Sequence, residues 1–405
     1  MLQIQLRQWA NHHPLPSFVG LIYLLLLGIW LPTSSAAVAS PSTPIPEIKT
    51  TTIAPTAPTT QPPPPSATAT LAPPLAQDII SEADTYLSKL ATAKLFSGSV
   101  LIARNGEVLV RTGYGEADRQ KHLVNTAQTK FRLGSMTKQF TAMAILILQT
   151  RGKLNVHDRI CTYLSGCPTA WQQITIHHLL THTSGIPDFT RFPDFKITMR
   201  SPSSPTETIA RFKDKPLDFQ PGEKWSYSNS GYVLLGAIID QASGKKYAAF
   251  LQENIFEPLK MLDTGYDDNK GGLAIGYRDQ TNSADFIDMS VPYAAGGLYS
   301  TVEDLYRWDQ SLYTDKLIPK DLLDKMFTAF APIADSGGFG YGYGWLIGKE
   351  FDRSVVSHGG GIGGFNTAIA RYPSDRVVVI ILGNREDVNT SKIRVQLTKI
   401  VFGEK

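Results

Sequence analysis

Cysteine is scarce in this 405-residue chain, which holds only Cys161 and Cys167. Two thiols cannot complete a zinc site, and their spacing is not C-x-x-C. Charge of one sign is also missing. The 39 basic and 36 acidic residues leave a net +3 and no basic stripe of the kind nucleic-acid binding requires. No G-x-S-x-G occurs, which argues against the nucleophile elbow of an α/β-hydrolase. His178 and His182 have the spacing of zinc ligands on a helix, but Leu179 stands where H-E-x-x-H requires glutamate. That leaves His182 with a structural reading and no metal expected. The apolar run Phe18 to Leu31 is shorter than the ~20 residues a spanning helix needs. No internal repeat is visible.

What the chain does have is apolar content: 42% of its residues are hydrophobic, enough to bury at least one large core. Two segments ahead of that core cannot contribute to it. Arg7, the Phe18–Leu31 run and the small residues Ala37-Val38-Ala39 have the layout of an export signal cleaved before Ser40. An uncleaved anchor is the competing reading for residues 1–39, and only then would the chain touch a membrane. Either way the domain is expected to be exported, to a periplasmic or extracellular setting. Residues 40–77 are rich in Pro, Thr, Ala and Ser, with Pro62-Pro63-Pro64-Pro65 among them, and read as an extended linker. In an oxidising compartment Cys161 and Cys167 are expected to close a short disulfide loop, worth roughly 2–2.5 kcal/mol by chain entropy. Two free thiols are the alternative.

The folded part is expected from about Asp78 to Lys405. Ile79, Ile80, Ala83, Tyr86, Leu87 and Leu90 recur at helical spacing. A hairpin follows, Ser99–Ala103 and Val108–Arg111, around Asn105-Gly106, a pair that tolerates positive φ at both turn positions. Toward the other end, Ser354–Ser357, Phe365–Tyr372 and Arg376–Leu382 read as strands, with Pro373-Ser374-Asp375 as the last turn. Ile393, Val395, Leu397 and Ile400 mark a final helix. Ser300 and Glu303 are expected to form a capping box for a helix through Leu305 and Trp308. The stretch from about 129 to 293 reads as mostly helical. The pattern is α+β: terminal segments form one antiparallel sheet flanked by helices, a helical insertion lies between, and a cleft sits at their junction.

Three short motifs supply the candidate chemistry. Ser135-Met136-Thr137-Lys138 opens the apolar helix Gln139–Thr150, which ends at Gly152. Ser135 would stand at its N-terminus, where free N–H groups favour negative charge, with Lys138 one turn on along the same face. A serine hydroxyl needs an adjacent base, and a lysine desolvated by helix packing can be neutral enough to serve. Tyr227-Ser228-Asn229 lies between a Pro221-Gly222 turn and the buried helix Val233–Ile239. His358-Gly359-Gly360-Gly361 leaves a strand, and its glycines let a backbone approach closely. The backbone N–H groups of Ser135 and Gly361 are the natural pair for an oxyanion hole. An S-x-x-K match alone would arise about once or twice by chance in a chain this long, so the argument rests on all three motifs in this order. Taken singly, each has a bland reading: a serine N-cap, a core tyrosine, a glycine loop.

Together the motifs resemble those of penicillin-type serine hydrolases. The tyrosine of the second motif and the histidine of the third are similar to the class C β-lactamase and DD-peptidase branch. Leu179–Pro187, Ile255–Thr264 and Gly296–Thr301 also resemble the family, so the likeness spans about Asp78 to Lys405. It implies a β-lactamase/transpeptidase-like fold and a serine hydrolase that forms an acyl-enzyme on Ser135 without a cofactor. By resemblance, Tyr227 shares the proton with Lys138 and Ser135, protonates the leaving group and then activates the deacylating water. Asn229 hydrogen-bonds the substrate amide, and His358, Gly359 and Gly360 belong to the strand beside the substrate. No counterpart of the class A glutamate loop is found, so deacylation falls to Tyr227. His358 stands where many relatives carry lysine. That departure weakens the specific β-lactamase reading and fits DD-peptidase and esterase-like members; if the His358 cation helps hold a substrate carboxylate, KM for acidic substrates is expected to rise as pH climbs through its pKa. The implied partner is a small-molecule or peptide substrate, related to the D-alanyl ends of cell-wall stems. A class C-like β-lactamase and a penicillin-binding sensor or cell-wall module without turnover are the alternatives.

Overall fold

The computed structural model describes residues 75–404, so the expected export segment and almost all of the linker lie outside the described residues. Helix Ala76–Thr92 (α1) begins just ahead of the expected boundary and buries Ile79, Ala83 and Leu87 along one face. The hairpin forms as its turn chemistry requires. Strands Gly98–Arg104 (β1) and Glu107–Tyr114 (β2) pair Arg104 with Glu107, and Asn105 and Gly106 take φ of +55° and +84°.

The middle of the chain supplies helices Thr137–Thr150 (α2), Asn229–Ser243 (α3), Tyr293–Gly296 (α4) and Val302–Ser311 (α5). Every residue of α2 from Thr137 to Leu148 is buried, so this helix is enclosed on all sides instead of being amphipathic. Cys161 and Cys167 are joined in a disulfide, with Cα atoms 5.4 Å apart. Then come strands Ala331–Pro332 (β3), Gly340–Tyr341 (β4), Leu346–Glu350 (β5), Arg353–Ile362 (β6), Phe365–Tyr372 (β7) and Val377–Gly383 (β8), and helix Thr390–Phe402 (α6).

These strands make one antiparallel sheet in the order β2-β1-β8-β7-β6-β5-β4-β3. The first hairpin therefore docks on the last strand, with Gly98 opposite Gly383. Strand β8 is apolar throughout because both its faces are covered. Val377, Val379 and Ile381 pack with α1 and α6, while Val378, Ile380 and Leu382 join the core shared with α2 and α5. This is the α+β arrangement expected, with helices on both faces of one antiparallel sheet.

Two local expectations need correction. The glycine motif does not leave its strand: β6 runs on through Ile362, and His358, Gly359, Gly360 and Gly361 pair with Ile369, Ala368, Thr367 and Asn366. The cap of α5 is Thr301, whose hydroxyl accepts from Asp304 N–H, and not Ser300 with Glu303. Ser300 ends a strand and its hydroxyl is bonded to that of Thr264 at 2.7 Å, so the helix starts one residue later.

The sheet and α5 are tied by a fully buried ion pair, Arg371 Nε to Asp309 Oδ1 at 2.8 Å, each side chain 1% exposed. Arg371→Met should lower stability by about 3–5 kcal/mol, because it strands an uncompensated carboxylate in the core. The urea midpoint reads this directly. A midpoint within error of the parent would show that Asp309 is relieved some other way.

Candidate active site

The nucleophile candidate sits on a tight turn, Gly134–Met136, that runs straight into α2. Gly134 has φ of +55°, and a Cβ there would come within 2.9 Å of the Gly361 nitrogen. Gly360 is under a harder constraint, since a Cβ would lie 2.0 Å from the Leu133 carbonyl oxygen. The third motif is glycine because β6 passes against the backbone of this turn, and that contact sets Gly361 beside Ser135. A Cβ at Gly359 would meet only ordinary contacts, and at Gly361 it would project into open space.

Lys138 is fully buried. Its Nζ lies 2.8 Å from Asn229 Oδ1, 2.8 Å from the Ala295 carbonyl oxygen of α4 and 3.3 Å from Ser135 Oγ. Burial pulls its pKa down to about 7, against a weaker upward pull from Asp188. The two nearer partners can only accept. A neutral amine would therefore give them its two hydrogens and turn its lone pair toward the Ser135 hydroxyl. That is the geometry a general base requires.

Tyr227 closes the other side of the serine. Its ring lies 4.8 Å from Lys138 Nζ, and its buried hydroxyl faces Ser135 without completing a hydrogen bond. Burial holds the phenol well above its ordinary pKa, with Asp188 adding to the shift, so it rests protonated. Tyr227 stands in a cage of rings formed by His182, Trp225, Tyr341 and His358. The His182 ring is 4.2 Å from it, and His182 Nδ1 accepts the Ser228 N–H at 3.2 Å. Buried and held neutral, His182 adopts φ of +59° beyond the end of the helix Ile176–Leu180. It pins the second motif, in keeping with the structural reading of this residue.

Asn229 is held at both ends. Its oxygen takes Lys138, and its amide faces Asp188 Oδ2 at 3.2 Å and Thr190 Oγ1 at 3.3 Å. Asp188 and Thr190 carry no motif signal of their own, although they lie just beyond the family-like Leu179–Pro187 stretch. Backbone carbonyls such as that of Ala295 carry no residue-type signal at all. Tyr341 was missed as well, although the Gly-Tyr-Gly-Tyr-Gly run at 340–344 is visible as an oddity.

His358 departs from its expected role. Its Nδ1 lies 2.6 Å from the Gly359 carbonyl and so carries the hydrogen, leaving Nε2 to accept the Tyr341 hydroxyl at 2.9 Å. Burial lowers its pKa to about 4, so at neutral pH the ring is uncharged and offers no cation to a carboxylate. A cleft of about 370 Å³ opens in front of Ser135. Ser135, Asn229 and Gly361 line it, while Lys138, Tyr227, His358, Gly359 and Gly360 lie behind that lining. The site thus joins Ser135, Lys138 and Asn229 by hydrogen bonds, packs the Tyr227 ring against them and leaves His358 as a buried support.

Known proteins resemble this chain in sequence and in fold. Residues 78–397 match the Beta-lactamase family. The chain is 32% identical over 333 residues to penicillin-binding protein 4* of Bacillus subtilis (strain 168), covering 75% of this chain and 71% of that one. Among solved structures it is similar to a penicillin-binding protein homologue from Pyrococcus abyssi, with a TM-score of 0.73, 30% identity and coverage of 80% and 78%. It is also similar to the D-amino acid amidase of Ochrobactrum anthropi SV3, with a TM-score of 0.68, 25% identity and coverage of 79% and 98%.

Proposed function

The chain belongs to the beta-lactamase family of serine hydrolases, and from that premise we propose that it is an exported enzyme cleaving amide, peptide and ester bonds through an acyl-enzyme on Ser135. Its proposed substrates are D-amino-acid amides and peptides, the class that includes the D-alanyl ends of cell-wall stems. The observation that carries this reading is Lys138, buried, pulled to about 7 and bonded so that its free valence meets Ser135 Oγ. In acylation the Ser135 proton passes to Lys138 Nζ while Oγ bonds to the substrate carbonyl carbon. The developing oxyanion lies between the N–H groups of Ser135 and Gly361. As the C–N or C–O bond breaks, the Tyr227 phenol protonates the leaving group and recovers a proton from the Lys138 ammonium. Water then attacks the acyl ester, and the same pair carries its proton back to Ser135 Oγ.

The relative and the amidase named above support the choice of substrate class, since their names specify penicillin binding and D-amino acid amides. The Cys161–Cys167 disulfide supports an oxidising, exported setting. Neutral His358 offers no cation to a substrate carboxylate, which favours uncharged amides and esters over carboxylate-bearing substrates, β-lactams and D-Ala-D-Ala peptides alike. The test is side-by-side hydrolysis of a D-amino-acid amide, a D-Ala-D-Ala peptide, a short ester and a β-lactam. The amide and ester should turn over fastest. A stable adduct with the β-lactam and no turnover of the others would replace the enzyme reading with a sensor.

The pH profile is a second check. With Lys138 as base, kcat/KM for a neutral amide should rise as pH climbs through about 7 and level off above it. KM for an acidic peptide should stay flat over about pH 5–8, since His358 is already neutral there. A KM that climbs between about pH 6 and 7 for the acidic peptide alone, and stops climbing in His358→Gln, would restore the charged-histidine role.

A further inference from the structure

The cleft in front of Ser135 has apolar walls: Phe189, Phe195, Met199, Ile287, Pro292 and Ile362. Phe195, Met199, Pro292 and Ile362 are only half-buried, so apolar surface there is still open to water. The walls are already assembled, because Asp288 N–H donates to the Met199 carbonyl at 2.9 Å and ties the two wall segments together. The charged side chains that line the cleft, Asp285 and Glu386, are both acids. The arginines of the adjoining segments are engaged. Arg200 and Arg278 both pair with Asp285, at 3.0 and 2.9 Å, and Arg191 lies 3.8 Å from Asp188.

Building on the acyl-enzyme reading above, we propose that this cleft is a specificity subsite for a bulky, uncharged apolar group of an ester or amide substrate, a medium-length alkyl chain or an aromatic ring, and that it rejects a carboxylate in the same place. An alkyl chain entering the cleft leaves water against carbon, and each buried methylene favours binding about fourfold. A carboxylate on that chain would give up its hydration to apolar walls, with Arg200 and Arg278 already paired to Asp285. At about 370 Å³ the cleft is near the small end of ligand sites, so the gain should stop once it is filled.

The experiment compares kcat/KM for acetyl, butyryl, hexanoyl and adipoyl p-nitrophenyl esters, with a matched series that lengthens the alcohol instead. On one side of the bond, kcat/KM should rise by on the order of 10² from the two-carbon to the six-carbon chain. The adipoyl ester, the same chain ended by a carboxylate, should fall at least about tenfold below the hexanoyl ester. Met199→Gln and Ile362→Thr, both at half-buried walls, should each shrink the hexanoyl-to-acetyl ratio severalfold. A generally weakened fold would lower both rates and leave that ratio alone. Flat series on both sides, adipoyl equal to hexanoyl, or an unchanged ratio in both variants would overturn the subsite. If fluorophosphonate still labels Ser135 in that case, the acyl-enzyme reading survives the loss. No reaction with any ester and no labelling would remove both.

Discussion

Ser135→Ala should abolish covalent labelling by a fluorescent penicillin or a fluorophosphonate and cut turnover by on the order of 10⁶. The expectation rests on position. Ser135 Oγ is 3.3 Å from an amine whose other two contacts are an amide oxygen and a backbone carbonyl. Removing that oxygen ends the acyl route and leaves only binding and oxyanion effects. The side chain is small and sits at the cleft, so the fold should survive, and circular dichroism and the urea midpoint should match the parent. Labelling that persists in a folded Ser135→Ala protein would move the nucleophile elsewhere.

Tyr227→Phe should lower amide turnover by about 10²–10⁴, the range of a general acid–base group, while keeping the ring that packs on His182. The size of the loss should depend on the leaving group. Burial keeps the phenol protonated, so its first task is to donate. An amine cannot leave as an anion and needs that proton, whereas p-nitrophenolate leaves without it. Acylation by a p-nitrophenyl ester should therefore suffer much less than acylation by an amide, as read from the pre-steady-state burst. Equal losses for both would assign Tyr227 a structural part, and no loss for either would transfer the acid to Lys138 alone.

The fold and site were legible in the chain to different depths. The hairpin was plain because Asn105-Gly106 is a local signal that needs no partner. Helix α2 was equally plain, since a long apolar run opened by Ser135 and closed by Gly152 has few other uses. The glycine run at 359–361 misled, because glycine weakens an isolated strand. Its place inside β6 follows from the Leu133 carbonyl pressing on Gly360, a contact between residues far apart in sequence. Ser300 lost the cap to Thr301 for a similar reason, since Thr264 had already claimed its hydroxyl.

By itself the sequence determined which chemical groups are present, in what order, and which local elements carry them. Ser135 and Lys138 share a helical turn whatever surrounds them, because three residues of helix set that spacing. Only the tertiary structure decided their charges and their company. A pKa depends on how much water is excluded and which dipoles replace it, and those atoms arrive from distant parts of the chain. Lys138 is drawn to about 7 by burial beneath Tyr227, Asn229 and Ala295, and His358 to about 4 by burial against Tyr341. The same lysine on an open helix would stay charged, and the same histidine on an open strand would titrate near its ordinary value.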